Sequence, residues 1–187
     1  MLIENFPEMG HIHPIVIELP GFGDLLTSNM YALGTGPITL IDSVPKFPGS
    51  FDMVEKQLNT YGFGFTDVER IIITHGHIDH FGITQMIRKA AGHHVDCYIH
   101  GDDAWRASSR YISTSMWSRE SDDFAAMVDL PIKEIERMRR RSAFFKHFCD
   151  PLDDVSVMEH GDSFSGNGYN LEVIHTPGHT TGSCCLY

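Results

Sequence analysis

The segment from Arg70 to Gly92 constrains the fold of this chain more than any other. Ile71-Ile72-Ile73 is a continuous apolar run of the kind found in strands buried on both faces. It passes without a linker into Thr74-His75-Gly76-His77-Ile78-Asp79-His80. Beyond that loop, Ile83, Met86, Ile87 and Ala90 recur at the i, i+3, i+4, i+7 spacing of a helix with one apolar face, and Gly92 supplies its stop signal. A buried strand, a polar loop and an amphipathic helix in direct succession form a unit of an α/β sheet. The loop then lies at the carboxyl end of a strand, where such sheets bind ligands.

The rest of the chain can be placed around this unit. Residues 14–19 and 37–42 read as strands, apolar and bounded by Gly and Pro, and Ser28–Leu33 reads as a third, giving an N-terminal meander. Ser50 is expected to cap a helix with Asp52 in its first turn and Val54, Leu58 and Tyr61 on one face before Gly62. Residues 95–100 read as the next strand. From about Asp102 to Phe148 the pattern turns helical, with Pro131 at a first helical position ahead of Ile132, Ile135 and Met138. This stretch is expected to be an inserted helical cap. Strand pattern returns at 170–175 and 183–187. A length of 187 residues with 42% hydrophobic content supports one core and one domain.

Composition removes several functions. Lys and Arg number 14 against 25 Asp and Glu, and a net charge of −11 disfavours general binding to nucleic acid. No apolar run approaches the roughly 18 to 20 residues needed to cross a bilayer. The N-terminal residues Met1–Glu8 lack the basic and apolar regions of a secretory signal, so a cytoplasmic location is expected. Cys97, Cys149, Cys184 and Cys185 have no CxxC spacing and read as reduced, buried thiols. Arg137, Arg139, Arg140 and Arg141 form a dense basic patch, read first as a solvated helix face and alternatively as a recognition site for an anionic substrate group. Trp105, Tyr111, Trp117, Phe144 and Phe145 in the same stretch read as packing residues.

Histidine is the unusual residue, with 12 copies, but position decides its meaning. His75 and His77 stand two apart, so in an extended segment both imidazoles leave the same side of the chain and can grip one metal ion. Asp79 and His80 follow where the chain turns into the helix and can face a second ion. This mixture of imidazole and carboxylate suits Zn²⁺, and also Fe or Mn. His11, His13, His93, His94, His100, His147 and His160 sit in no motif and are expected to be surface or structural, as is His175.

Thr-His-x-His-x-Asp-His after an apolar strand resembles the metallo-β-lactamase superfamily. His175-Thr176-Pro177-Gly178-His179-Thr180-Thr181-Gly182-Ser183 is similar to that family's second signature, and Leu40-Ile41-Asp42-Ser43 to its Leu-Ile-Asp-Thr-Gly turn, with Ser43-Val44 in place of Thr-Gly. The resemblance implies an αββα sandwich of two similar halves, of which this chain holds the first and the start of the second. It implies that His75, His77 and His179 hold one metal, that Asp79 and His80 contribute to another, and that Asp42 orients a ligand or supports the loop from behind. Two zinc ions are expected in the intact protein. Family members normally add a bridging aspartate in a Gly-Asp context and a final histidine after the second signature. The sequence reaches Tyr187 without either, so a portion of a longer protein is expected.

The family chemistry is hydrolysis by a metal-bound hydroxide, because coordination lowers the pKa of water from about 15.7 to about 7. Asp79 is then expected also to orient that hydroxide or to protonate the leaving group. The full His-x-His-x-Asp-His motif is most similar to glyoxalase II-like hydrolases of thioesters or esters, which implies a small-molecule substrate. Alternatives within the fold are a mononuclear iron persulfide dioxygenase, a metal-dependent ribonuclease or phosphodiesterase, and a non-catalytic binding module. A homo-oligomer is a further expectation, because half of a sandwich leaves a sheet edge and an apolar face exposed.

Overall fold

The computed structural model describes residues 10–22, 25–114 and 119–187. Strands β1 (Ile12–Glu18), β2 (Thr27–Leu33) and β3 (Ile38–Ile41) form the antiparallel meander, with Ile15 opposite Met30 and Ala32 opposite Leu40. Helix α1 (Ser50–Thr60) then crosses over, so that β4 (Val68–Ile73) runs parallel to β3. The short helix α2 (Ile78–Phe81) and the longer α3 (Thr84–Ala91) carry the chain back to β5 (Asp96–His100), parallel to β4. Four helices follow: α4 (Gly101–Ala107), α5 (Ser109–Thr114), α6 (Arg119–Met127) and α7 (Ile132–Phe145). Strand β6 (Ser156–Met158) completes a six-stranded sheet in the order β1-β2-β3-β4-β5-β6. Strands β7 (Ser163–Gly166), β8 (Tyr169–His175) and β9 (Cys184–Leu186) form a second, antiparallel sheet.

Both faces of the large sheet are covered, which explains the unbroken isoleucine run. Ile71 and Ile73 turn to the helices and pack with Ile15, Leu40, Val54, Leu58 and Ile87. Ile72 turns the other way and joins Leu33, Ile41 and Met158 against Phe164, Val173 and Cys184 of the small sheet. All three isoleucines are fully buried, each contributing about 1.5–3 kcal/mol. The layers are therefore helices, a six-stranded sheet and a three-stranded sheet, a mixed α/β architecture.

Some local readings change. Gly49, at φ 87°, is the residue that precedes α1, and the Ser50 hydroxyl accepts from the Phe47 N–H (3.1 Å) and donates to the Phe47 carbonyl (2.8 Å). The serine closes the Pro48-Gly49 turn instead of capping the helix, because that turn brings the Phe47 peptide within its reach. Pro131 lies one residue ahead of α7, with the extended ψ of 138° that a cap adopts. Strands β6 and β7, three and four residues long, are too short to show a strand pattern and pair along the edges that β5 and β8 offer. Cys97, Cys149 and Cys184 are buried and Cys185 is exposed. No helix among the described residues is long and apolar enough to cross a membrane. Trp117 and the N-terminal Met1–Glu8 lie outside the described residues.

Candidate metal centre

The site is assembled at the carboxyl ends of β3 and β4. Asp42 leaves β3 at φ 63°, the left-handed region that non-glycine residues rarely occupy. This conformation sends its carboxylate across to β4. Oδ1 accepts from the Thr74 N–H (2.7 Å), and Oδ2 accepts from the Thr74 hydroxyl (2.8 Å) and from His80 Nδ1 (2.8 Å). The next peptide repeats the tie, with the Ser43 N–H donating to the His80 carbonyl (2.8 Å). Asp42 thus fixes both the start of the histidine loop and the His80 ring. Because Nδ1 gives its proton to the carboxylate, Nε2 of His80 keeps an outward lone pair. Burial by itself lowers the pKa of His80, but the hydrogen bond and negative charge of Asp42 outweigh it and raise the value above that of a free imidazole.

His75 is set by the same network. The Thr74 hydroxyl has spent its proton on Asp42, so at 3.1 Å it accepts from His75 Nδ1–H. That leaves the lone pair on Nε2, and this atom is buried with no hydrogen-bond partner. Burial, and then the neighbouring imidazoles of His80, His77 and His179, push the pKa of His75 down to about 3. An orphaned buried polar atom is costly unless something else satisfies it. A metal ion would do so, since it needs a neutral imidazole with a free lone pair.

The other donors converge on the same point. Candidate ligand atoms of His75, His77 and His179 all lie within 4.8 Å of one another. Ring centroids are 4.9 Å apart for His75 and His77, 4.9 Å for His75 and His179, and 4.6 Å for His77 and His179. The pKa of His77 is also lowered, first by burial and then by His179. Three nitrogens at this spacing fit the three-histidine set of a catalytic zinc site. Asp79 and His80 stand beside them: the His80 ring centroid is 4.0 Å from that of His75, and His80 Nε2 is 3.6 Å from Asp79 Oδ2. They form a pair facing the triad.

A residue absent from the sequence reading joins the two halves of the centre. Asp103, in the first turn of α4, is fully buried. It accepts from the Gly76 N–H between His75 and His77 (2.8 Å), and from the Thr180 hydroxyl (2.5 Å) and Gly182 N–H (3.2 Å) in the loop of His179. Arg106 Nε lies 3.3 Å from the same carboxylate. Burial opposes the charge, yet the bonds from Thr180, Gly76 and Gly182 hold the pKa below the usual carboxylate value. The two glycines are required by this close approach. A Cβ at Gly76 would stand 2.9 Å from the Arg106 side chain, and one at Gly182 would stand 2.7 Å from Asp103 Cβ. In sequence, Asp102-Asp103 shows only the acidic start common to helices.

His100 and His175, expected to be structural, meet across the two sheets. Their rings stack at 4.0 Å with 14° between the planes, and their candidate ligand atoms fall within 4.8 Å of one another and of Asp102. Near-parallel stacked rings cannot both hold one ion in their planes. His175 Nε2 already donates to the Thr181 carbonyl (2.8 Å), and His100 Nδ1 accepts from the Asp102 N–H (3.2 Å). The pair packs the loop of His179 against β5.

Beside the histidine group opens a cavity of about 760 Å³. His77, Asp79 and His179 line it together with Phe22, Leu25, Tyr111, Met138, Phe145, Arg106 and Arg141. The helices after β5 thus supply an apolar wall with two guanidinium groups.

Comparison with known proteins identifies the relatives of this chain. The sequence profile of the metallo-beta-lactamase superfamily matches residues 23–187. Acyl-coenzyme A thioesterase MBLAC2 of Gallus gallus is 29% identical over 117 residues, 62% of this chain and 36% of that protein. An uncharacterized protein of Aquifex aeolicus is 28% identical over 122 residues, 63% of this chain and 42% of its own length. The chain therefore spans less than half the length of these relatives. A metallo-beta-lactamase family protein of Thermus thermophilus superposes with a TM-score of 0.74 at 21% identity, covering 97% of this chain and 56% of that one. The subclass B3 metallo-beta-lactamase BJP-1 of Bradyrhizobium japonicum gives 0.64 at 19% identity, covering 97% and 55%. With a family profile that runs from before β2 to Tyr187 and a fold shared with these structures, the chain belongs to the metallo-beta-lactamase superfamily.

Proposed function

We propose that the protein is a metal-dependent hydrolase that cleaves a thioester or ester of a small molecule. The observation that carries this reading is the buried, unpartnered Nε2 of His75, held beside the nitrogens of His77 and His179, which line a 760 Å³ cavity. His75, His77 and His179 would hold a first zinc ion, and Asp79 and His80 would contribute to a second. When bound, zinc supplies Lewis-acid polarisation of the scissile carbonyl and a water whose pKa is lowered to about 7.

The remaining work falls to the chain itself. Asp42 holds Nδ1–H of His80 so that Nε2 points away from the carboxylate. Thr74 does the same for His75 through Nδ1. Asp79 lines the cavity and is the one carboxylate there among the described residues. It takes the proton released as water attacks the carbonyl carbon and returns it to sulfur or oxygen as the bond to the leaving group breaks. The apolar wall of Phe22, Leu25, Met138 and Phe145 excludes water from the acyl group and strengthens every polar contact at the floor. The thioester preference draws on the chicken thioesterase relative.

Metal content of the purified protein and hydrolysis of acyl thioesters by the wild type and His77→Ala test the reading together. The expected outcome is zinc in the wild type, with turnover lost on dialysis against chelator and in His77→Ala. Retained turnover in that variant refutes the role of the histidine loop. One iron per chain with oxygen consumption replaces hydrolysis by the dioxygenase reading.

A further inference from the structure

The four arginines of α7 have different fates. Arg137 pairs with Glu134 (2.7 Å), Arg139 with Asp122 (2.5 Å) and Arg140 with Glu136 (4.0 Å). Arg141 has no carboxylate partner among the described residues, and it is the one of the four that lines the cavity over the histidines. Its guanidinium carbon lies 5.2 Å from the centre of the Phe145 ring. Stacking of this kind holds the planar group in place while leaving its N–H donors at the edge free.

Arg106 carries a second positive charge into the same cavity. Its guanidinium lies over the Trp105 ring at 4.7 Å, and its Nε is 3.3 Å from the buried Asp103 carboxylate. In a chain of net charge −11, an arginine lining the cavity without a carboxylate partner among the described residues stands out. Asp79, the carboxylate that lines that space, sits on the histidine floor. Leu25, Tyr111, Met138 and Phe145 line the same cavity, surfaces suited to a short hydrocarbon segment.

We propose that Arg141, with Arg106 behind it, is an anion-recognition site. It selects substrates that carry anionic oxygens, of a carboxylate or a phosphate, joined to the scissile group by an apolar segment. The planar fork of Arg141 accepts both oxygens of such a group in two parallel hydrogen bonds. The inference rests on the hydrolase reading for what happens at the floor, and on the cavity wall alone for what is recognised.

The test uses zinc-loaded protein and three thioesters: a butanoyl and a succinyl ester of one neutral thiol, and the butanoyl ester of a phosphorylated thiol. The wild type is expected to favour one of the anionic compounds over the neutral one in kcat/KM, and which one it favours identifies the anion. Arg141→Ala is expected to reduce that preference on the order of 10- to 100-fold, the loss of a charge-assisted hydrogen-bond pair. Arg141→Lys is expected to keep part of it, and Arg140→Ala, on a residue paired with Glu136, all of it. A wild type without preference, or a preference within about twofold of wild type in Arg141→Ala, overturns the inference. If no compound turns over, the hydrolase reading fails. Calorimetric titration with glutarate and with inorganic phosphate then decides the anion site separately: weaker binding in Arg141→Ala supports it, and equal affinity in wild type and variant overturns it.

Discussion

Replacing Asp103 by alanine is the sharpest perturbation the structure offers, because it touches no proposed ligand and yet removes the tie between both ligand loops. Three donors lose their acceptor: the Gly76 N–H at 2.8 Å, the Thr180 hydroxyl at 2.5 Å and the Gly182 N–H at 3.2 Å. The carboxylate they share is fully buried, so solvent does not take its place without cost. Each orphaned buried donor costs about 1–3 kcal/mol, and a water entering the vacated space recovers part of that, leaving a loss of about 3–5 kcal/mol. Arg106 loses its ion-pair partner as well: its side chain is 26% exposed, but the Nε that faces the carboxylate is buried. Asp103→Asn keeps one acceptor oxygen and is expected to lose about half as much, roughly 2 kcal/mol.

Urea unfolding read by circular dichroism measures these losses, compared at equal slope. A chelator competition measures zinc affinity, which is expected to fall on the order of 10- to 100-fold as the loops carrying His77 and His179 separate. The charge adds a pH signature. The hydrogen bonds hold the folded-state pKa of Asp103 below its ordinary value of 3.8. Its contribution is therefore fully present above that value and disappears as pH falls through the lower, folded value. The stability gap between wild type and Asp103→Asn must narrow on acidification, not on alkalinisation. Loss of less than about 1 kcal/mol in Asp103→Ala, with zinc affinity unchanged, refutes the role of the carboxylate as the tie.

Asp42→Asn removes the acceptor that orients His80 Nδ1, and second-layer changes of this kind lower metal affinity about 10- to 100-fold in a chelator competition; an unchanged affinity sinks the assignment. Gly82→Ala places a Cβ 2.6 Å from the Phe148 carbonyl oxygen and 2.7 Å from that of Val44. Both are backbone atoms that cannot turn aside, so about 1–3 kcal/mol is lost, a fall of several degrees in Tm by calorimetry. Burial pushes the Cys97 and Cys149 thiols up to about 12, and Cys185 is exposed. Thiol labelling of the native protein should modify Cys185 fast and those two only on unfolding, and rapid native labelling of Cys97 contradicts the packing.

What could be read in the sequence was local. Ile71–Ile73 declared a strand covered on both faces, and the structure shows Ile72 against the small sheet with its two neighbours against the helices. The spacing of His75 and His77, and for His179 the resemblance of its Pro-Gly-His loop to the family's second signature, pointed to the imidazoles that the fold brings within reach of one another. Periodicity and spacing survive in a linear chain because they act over a few residues. Asp103 had no such signature: its partners in the two ligand loops are 27 to 79 residues away, and in the sequence it is one of two acidic residues opening a helix. Arg141 was one arginine among four: Glu134 and Glu136 pair with Arg137 and Arg140 within α7, but only packing against α6 gave Arg139 its carboxylate and placed Arg141 at the cavity. The stacked rings of His100 and His175 come from different sheets. Sequence alone determined which residue types could hold a metal and which elements carry them. Tertiary structure decided which charges are neutralised, which lone pairs stay free and which loops are tied together, because these depend on burial and on neighbours that only folding supplies.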